Sequence, residues 1–182
     1  MSDTVTKETD QYITIVLGEE HYAIEVSMVK EVLELQTITR MPKTPAFMSG
    51  VINVRGSVVP VIDLRTKFDM EPVEPTVDTC IVVVEVSTAM ETGTEETGTE
   101  EDTITVGAIA DKVEEVVEIS PEDIEPPPRF GTNLDIEFID GVGKYQDDFL
   151  IILDINKVFT MGEIQEIKKT GEAERSERSE EE

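Results

Sequence analysis

Residues 50–64 read GVINVRGSVVPVIDL. β-branched residues dominate this stretch, and Asn53-Val54-Arg55-Gly56-Ser57 breaks it with a strand-to-turn transition, so it reads as paired strands rather than helix. Working outward, YITIVL at 12–17 puts Ile13, Ile15 and Leu17 on one face with a period of two. HYAIEV at 21–26 alternates Tyr22, Ile24 and Val26 after the turn Gly18-Glu19-Glu20, which makes a hairpin. Strand-like runs recur at 29–35, 80–86, 103–109, 113–119 and 149–155. This spacing predicts an all-β fold of small barrels or sandwiches. Helix is limited to single turns at 45–48, 65–68 and 156–159, and to a short segment from 161 with Met161, Ile164 and Ile167 on one side.

The chain also repeats itself. Val29-Lys30-Glu31-Val32 is echoed by Val113-Glu114-Glu115-Val116 at an offset of 84 residues. Gly50-Val51 matches Gly141-Val142, Ile62-Asp63-Leu64 matches Leu153-Asp154-Ile155, and Phe68 matches Phe159, all at an offset of 91. The two offsets differ because the second copy carries extra residues around 126–140. Two similar β subdomains, each with its own small core, account for the pattern. Between the copies, TGTEE occurs at 92–96 and again at 97–101 and has almost nothing to bury, so 87–102 reads as an acidic surface loop. Residues 1–10 read as a flexible lead-in, 11–161 as one folded domain, and 162–182 as a short helix followed by a disordered acidic tail.

Composition narrows the function. The 182 residues are 38% hydrophobic, enough for a core, and carry 41 acids against 15 Lys and Arg, a formal charge of −26. Such a surface repels nucleic acid and anionic bilayers. Acids spread over the whole chain suit a salt-rich cytoplasm, since the Debye length falls to about 3 Å at molar ionic strength. A halophilic host is therefore expected. No apolar run reaches the roughly 18 residues of a membrane span, and the N-terminus lacks an apolar signal core, so a cytoplasmic protein is expected.

Chemistry-bearing residues are sparse. His21 is the only histidine, and Cys80, the only cysteine, sits in an apolar run as a small buried hydrophobe. No calcium-loop pattern, nucleotide-binding glycine motif or His-based metal set occurs, so neither cofactor nor catalysis is expected. Gly50, Gly56, Gly141 and Gly143 read as turn residues. Asp63 and Asp154, at matching positions of the repeat, read as helix N-caps for the amides of Arg65 or Thr66 and of Lys157. Three roles are open to Arg55: satisfying backbone carbonyls at the turn, pairing with Glu31 or Asp63, or reaching a partner's carboxylate.

These residues together resemble the CheW family of chemotaxis coupling proteins, from about residue 11 to 161. The likeness rests on Tyr22-Ala23-Ile24-Glu25-Val26, Val29-Lys30-Glu31-Val32, Pro42, the block from Gly50 to Phe68, Gly107-Ala108-Ile109-Ala110-Asp111-Lys112-Val113 and the closing ILDINKVF. The resemblance implies two five-stranded SH3-like β-barrels packed around an apolar interface, without catalytic activity. It further implies that one barrel binds the regulatory domain of the histidine kinase CheA, while the groove between barrels receives the cytoplasmic tip of methyl-accepting receptors. Carried over by motif, Arg55 matches the family arginine at which changes impair receptor coupling. Val26, Val29, Glu31, Val32, Leu33, Val113 and Val116 are candidates for the groove, and Val54, Ser57 and Val58 for a kinase-facing edge. The valines can equally be plain core. The alternatives are a scaffold of the same type in a non-chemotactic array, or a small β-barrel that binds a ligand or peptide.

Overall fold

The computed structural model describes residues 9–87, 103–126, 139–145, 148–158 and 163. Ten strands follow in chain order: β1 (Asp10–Leu17), β2 (Glu20–Glu25), β3 (Val29–Glu34), β4 (Met48–Val54), β5 (Ser57–Asp63), β6 (Cys80–Ser87), β7 (Thr103–Ala110), β8 (Lys112–Ile119), β9 (Ile139–Tyr145) and β10 (Asp148–Leu153). One helical turn, α1 (Leu64–Lys67), follows β5, and 3-10 turns occupy Val26–Met28 and Pro121–Asp123. The segment expected to be helical at 45–48 is instead a turn closed by the Met48 N–H donating to the Pro45 carbonyl at 3.0 Å. Strand β9 was not expected: Gly141 and Gly143 lie within it, not at turns. The TGTEE loop, most of the N-terminal lead-in and the C-terminal tail lie outside the described residues. Of the segment expected to form a C-terminal helix only Glu163 lies among the described residues, in helical conformation and paired with Lys67 of α1.

The strands form two five-stranded mixed sheets, ordered β8-β1-β2-β10-β9 and β3-β6-β7-β5-β4. Each holds one parallel pair, β2 with β10 and β5 with β7. The expected closed barrels are not formed. Closure requires ladders between β8 and β9 and between β3 and β4; among the described residues, single bridges stand there instead, Glu125 to Val142 and Thr39 to Val51. The chain leaving β3 and β8 carries Pro42, Pro45, Pro121 and Pro126, which lack the N–H a continuing ladder needs.

Position by position, the two sheet orders are the same. β3, β4 and β5 correspond to β8, β9 and β10, the segments that repeat in the sequence, and the hairpins β1-β2 and β6-β7 correspond to each other. Each hairpin joins the sheet of the other repeat, so the two halves of the chain are exchanged rather than side by side. Each sheet covers a small core of its own: Tyr12, Ala23, Ile119, Leu150 and Ile152 in one, Ile52, Val59, Val61, Ile81 and Val83 in the other. A larger core draws Ile13, Ile15, Leu17 and Ile24 from one sheet and Val82, Val84, Val86 and Val106 from the other. β6 is thus buried on both faces, which explains its unbroken apolar sequence. Each such side chain contributes about 1.5–3 kcal/mol.

Thr14 is fully buried in the middle of β1. The register between β1 and β8 slips between Ile13 and Ile15, leaving one residue of the edge strand without its usual partner. The Thr14 hydroxyl takes that place, donating to the Glu115 carbonyl at 2.8 Å and accepting from the Glu115 N–H at 3.0 Å. Thr14→Val keeps shape and burial but orphans both backbone groups, so a loss of about 2 kcal/mol is expected, read as a lower urea midpoint with unchanged slope.

Candidate functional site

The β4-β5 hairpin turns on Arg55 and Gly56, with φ of 51° and 88°. Two consecutive positive φ values in a two-residue connection give the strands their correct twist, and Asn53 braces the turn by accepting the Gly56 N–H at 3.0 Å. Positive φ suits Gly or Asn far better than Arg, for which it costs about 1–2 kcal/mol. The Arg55 side chain is 83% exposed, and its Nη2 lies 3.2 Å from Glu31 Oε2 on β3. An exposed ion pair of this kind contributes at most about 1 kcal/mol. Of the roles open to Arg55 in the sequence, pairing with Glu31 is the one present; Asp63 is engaged elsewhere. Stability does not account for an arginine at this turn, and among the described residues its side-chain hydrogen bond goes to Glu31 alone.

The other candidates divide by exposure. Val26, Val29, Val58 and Val113 are half-buried against the shared core, and Leu33 and Val54 against the core of the second sheet. Ser57 is exposed beside the turn. Val32 and Val116 are 40% and 54% exposed. They occupy equivalent positions of the repeat, on the edge strands β3 and β8 of different sheets. The structure therefore brings Arg55 to Glu31 and gathers Val26, Val29, Val58 and Val113 into one core, and it leaves Val32 and Val116 exposed, paired with Val82 and Ile13 of that core.

Both capping aspartates hold turns. Asp63 Oδ1 accepts the Arg65 N–H at 3.0 Å and Oδ2 the Thr66 hydroxyl at 3.2 Å. Asp154 accepts the N–H of Asn156, not that of Lys157, at 3.0 Å; the Lys157 N–H goes to the Asp154 carbonyl. His21 lies beside Glu114 at 3.4 Å. Cys80 is buried, and burial pushes its thiol up from the usual range.

Sequence reasoning missed the most elaborate polar contact. Asp111, the single residue between β7 and β8, receives the Arg65 guanidinium on both oxygens, at 2.9 Å from Nε to Oδ1 and more closely from Nη2 to Oδ2. Oδ2 also accepts the Gly18 N–H at 2.8 Å, and Arg65 Nη1 donates to the Glu71 carbonyl at 2.8 Å. The hydrogen bond from Arg65 holds the Asp111 carboxyl below the ordinary carboxylate range, outweighing burial. Arg65 and Asp111 both lie in motif blocks, but their 46-residue separation hides the pairing.

The fold has known counterparts. Residues 11–163 match the family model for the CheW-like domain. The chain belongs to the CheW family. Similar proteins include the chemotaxis protein CheW of Treponema pallidum, 32% identical and covering 90% of this chain and 89% of that protein, and CheW of Klebsiella aerogenes, 31% identical over 85% and 84%. Among solved structures, the scaffolding protein TtCheW from Thermoanaerobacter tengcongensis is 31% identical, covers 90% of this chain and 96% of its own, and superposes with a TM-score of 0.71. CheW-family proteins are non-catalytic scaffolds, and this CheW-family chain is one of them. Among its described residues no helix is long and apolar enough to cross a membrane, and no group of three or more His, Cys, Asp or Glu is placed to hold a metal.

Proposed function

We propose that this protein couples methyl-accepting chemoreceptors to the histidine kinase CheA in a chemotaxis array. Val54, Ser57 and Val58, on the hairpin that the Arg55-Gly56 turn closes, serve as the edge that meets the kinase regulatory domain, and Arg55 itself serves receptor coupling. Val26, Val29, Val32, Leu33, Val113 and Val116 serve the receptor's helical hairpin between the two sheets, with Glu31 setting the arginine's direction. The single observation that carries this reading is Arg55 itself, an exposed guanidinium kept at a positive φ where stability alone favours Gly or Asn. The −26 charge supports a salt-rich host, so the assays belong in molar KCl.

Arg55→Asn separates binding from folding. Its melting temperature is expected to equal or exceed that of the wild type, because Asn tolerates the turn. Co-purification of the receptor with the variant is expected to fall about 10- to 30-fold, the loss of an interface hot spot. Wild-type protein that retains neither the kinase regulatory domain nor the receptor hairpin would overturn the assignment.

A further inference from the structure

Asp111 stands where the chain crosses from one sheet to the other, directly after β7 and before β8. Its backbone N–H donates to the Val16 carbonyl at 3.0 Å, and its carboxylate accepts the Gly18 N–H, so main chain and side chain both grip the β1-β2 hairpin of the first sheet. On its other side it holds Arg65, which belongs to α1 at the end of β5 in the second sheet and is tied in turn to the Glu71 carbonyl. The side chains are only 12% and 25% exposed, and the contact is bidentate, the geometry that restricts orientation as well as distance. Strand β8 begins one residue later and carries Val113 and Val116. Its partner edge, β3, is joined to the other sheet.

We propose that Arg65 and Asp111 are positioning residues that set the angle between the two sheets, and thereby the placement of the β8 edge relative to the β3 edge, for the receptor hairpin. The proposal rests on the coupling role given above. It distinguishes the two partners. The kinase-facing edge lies within one sheet and does not depend on the clamp, whereas a ligand seated between sheets requires both edges at a defined separation.

The test uses the full chain with Cys80→Ala and spin labels at Glu34→Cys on β3 and Glu118→Cys on β8, both exposed and outside the proposed contacts. Asp111→Asn is expected to broaden the distance distribution between the labels, and Arg65→Lys, which keeps the charge but loses the fork, to broaden it less. Unlabelled variants with native Cys80, compared at matched folded fraction, are expected to bind the receptor hairpin at least 10-fold more weakly while binding the CheA regulatory domain within twofold of wild type. An unchanged distance distribution, or receptor and kinase binding that fall together, overturns the proposal. Failure of wild type to bind either partner would reject the coupling role while leaving the distance measurement to decide the clamp.

Discussion

Gly50→Ala is expected to destabilise the protein by about 3–5 kcal/mol, which for a chain of this size lowers the melting temperature by about 10 °C or more. Gly50 has a φ of 147°, a conformation that L side chains rarely adopt, and an added Cβ would stand 2.2 Å from the Thr39 carbonyl oxygen and 2.8 Å from Ile38 Cγ2. The nearest obstacle is backbone, held by the paired bonds between Thr39 and Val51 at 2.8 and 2.9 Å. It cannot yield without opening the one bridge that joins the segment after β3 to the β4 edge. The matching residue Gly141 offers an internal comparison. Its added Cβ would first meet Ile124 Cγ2, the end of a side chain, at 2.4 Å, with the Glu125 carbonyl oxygen at 2.8 Å. Gly141→Ala is therefore expected to cost less. Equal midpoints for the two variants in urea would show that the bridge at β4 is not what Gly50 protects.

Asp111→Ala is expected to cost about 2–4 kcal/mol, because it leaves the largely enclosed Arg65 guanidinium with the Glu71 carbonyl and strips the Gly18 N–H of its acceptor. The cost should depend on pH. Arg65 first, then the Gly18 N–H, hold the folded carboxyl below its ordinary value, against the opposing effect of burial. A depressed carboxyl stabilises the fold fully above its unfolded value of about 3.9 and loses that contribution as pH falls through the lower folded value. Many other carboxylates titrate in the same range, so the measurement is the difference in unfolding free energy between wild type and variant. That difference should be constant from neutrality down to about pH 5 and shrink below about pH 4. A difference that stayed flat to the lowest accessible pH would assign the cost to lost packing instead of the charge pair.

Much of the strand content was legible because local pattern controls it. The runs at 12–17, 21–26, 29–35 and 50–64 became β1 to β5, and those at 80–86, 103–109, 113–119 and 149–155 became β6, β7, β8 and β10. β9 escaped notice because two glycines in IDGVGKY erase the apolar alternation; close approach of Ile124 and Glu125 to Gly141, not a turn, explains the first. The barrels failed because closure depends on whether edge strands meet, and proline-bearing segments separate them. Among site residues, Arg55 stood out by its motif, and Glu31 was one of two proposed partners. Thr14 gave no signal, since its hydroxyl matters only where a register slip brings Glu115 against it.

The amino-acid sequence by itself determined the strands, the duplicated pattern, the strongly acidic surface and the block that carries Arg55. Each of these follows from residues within a few positions of one another, or from composition. Tertiary structure alone decided that the two repeats exchange their hairpins, that the sheets stay open, and that Arg65 and Asp111 meet across them. Those outcomes depend on contacts between residues tens of positions apart, where packing of both sheet faces and satisfaction of buried polar groups select among arrangements that local sequence leaves equivalent.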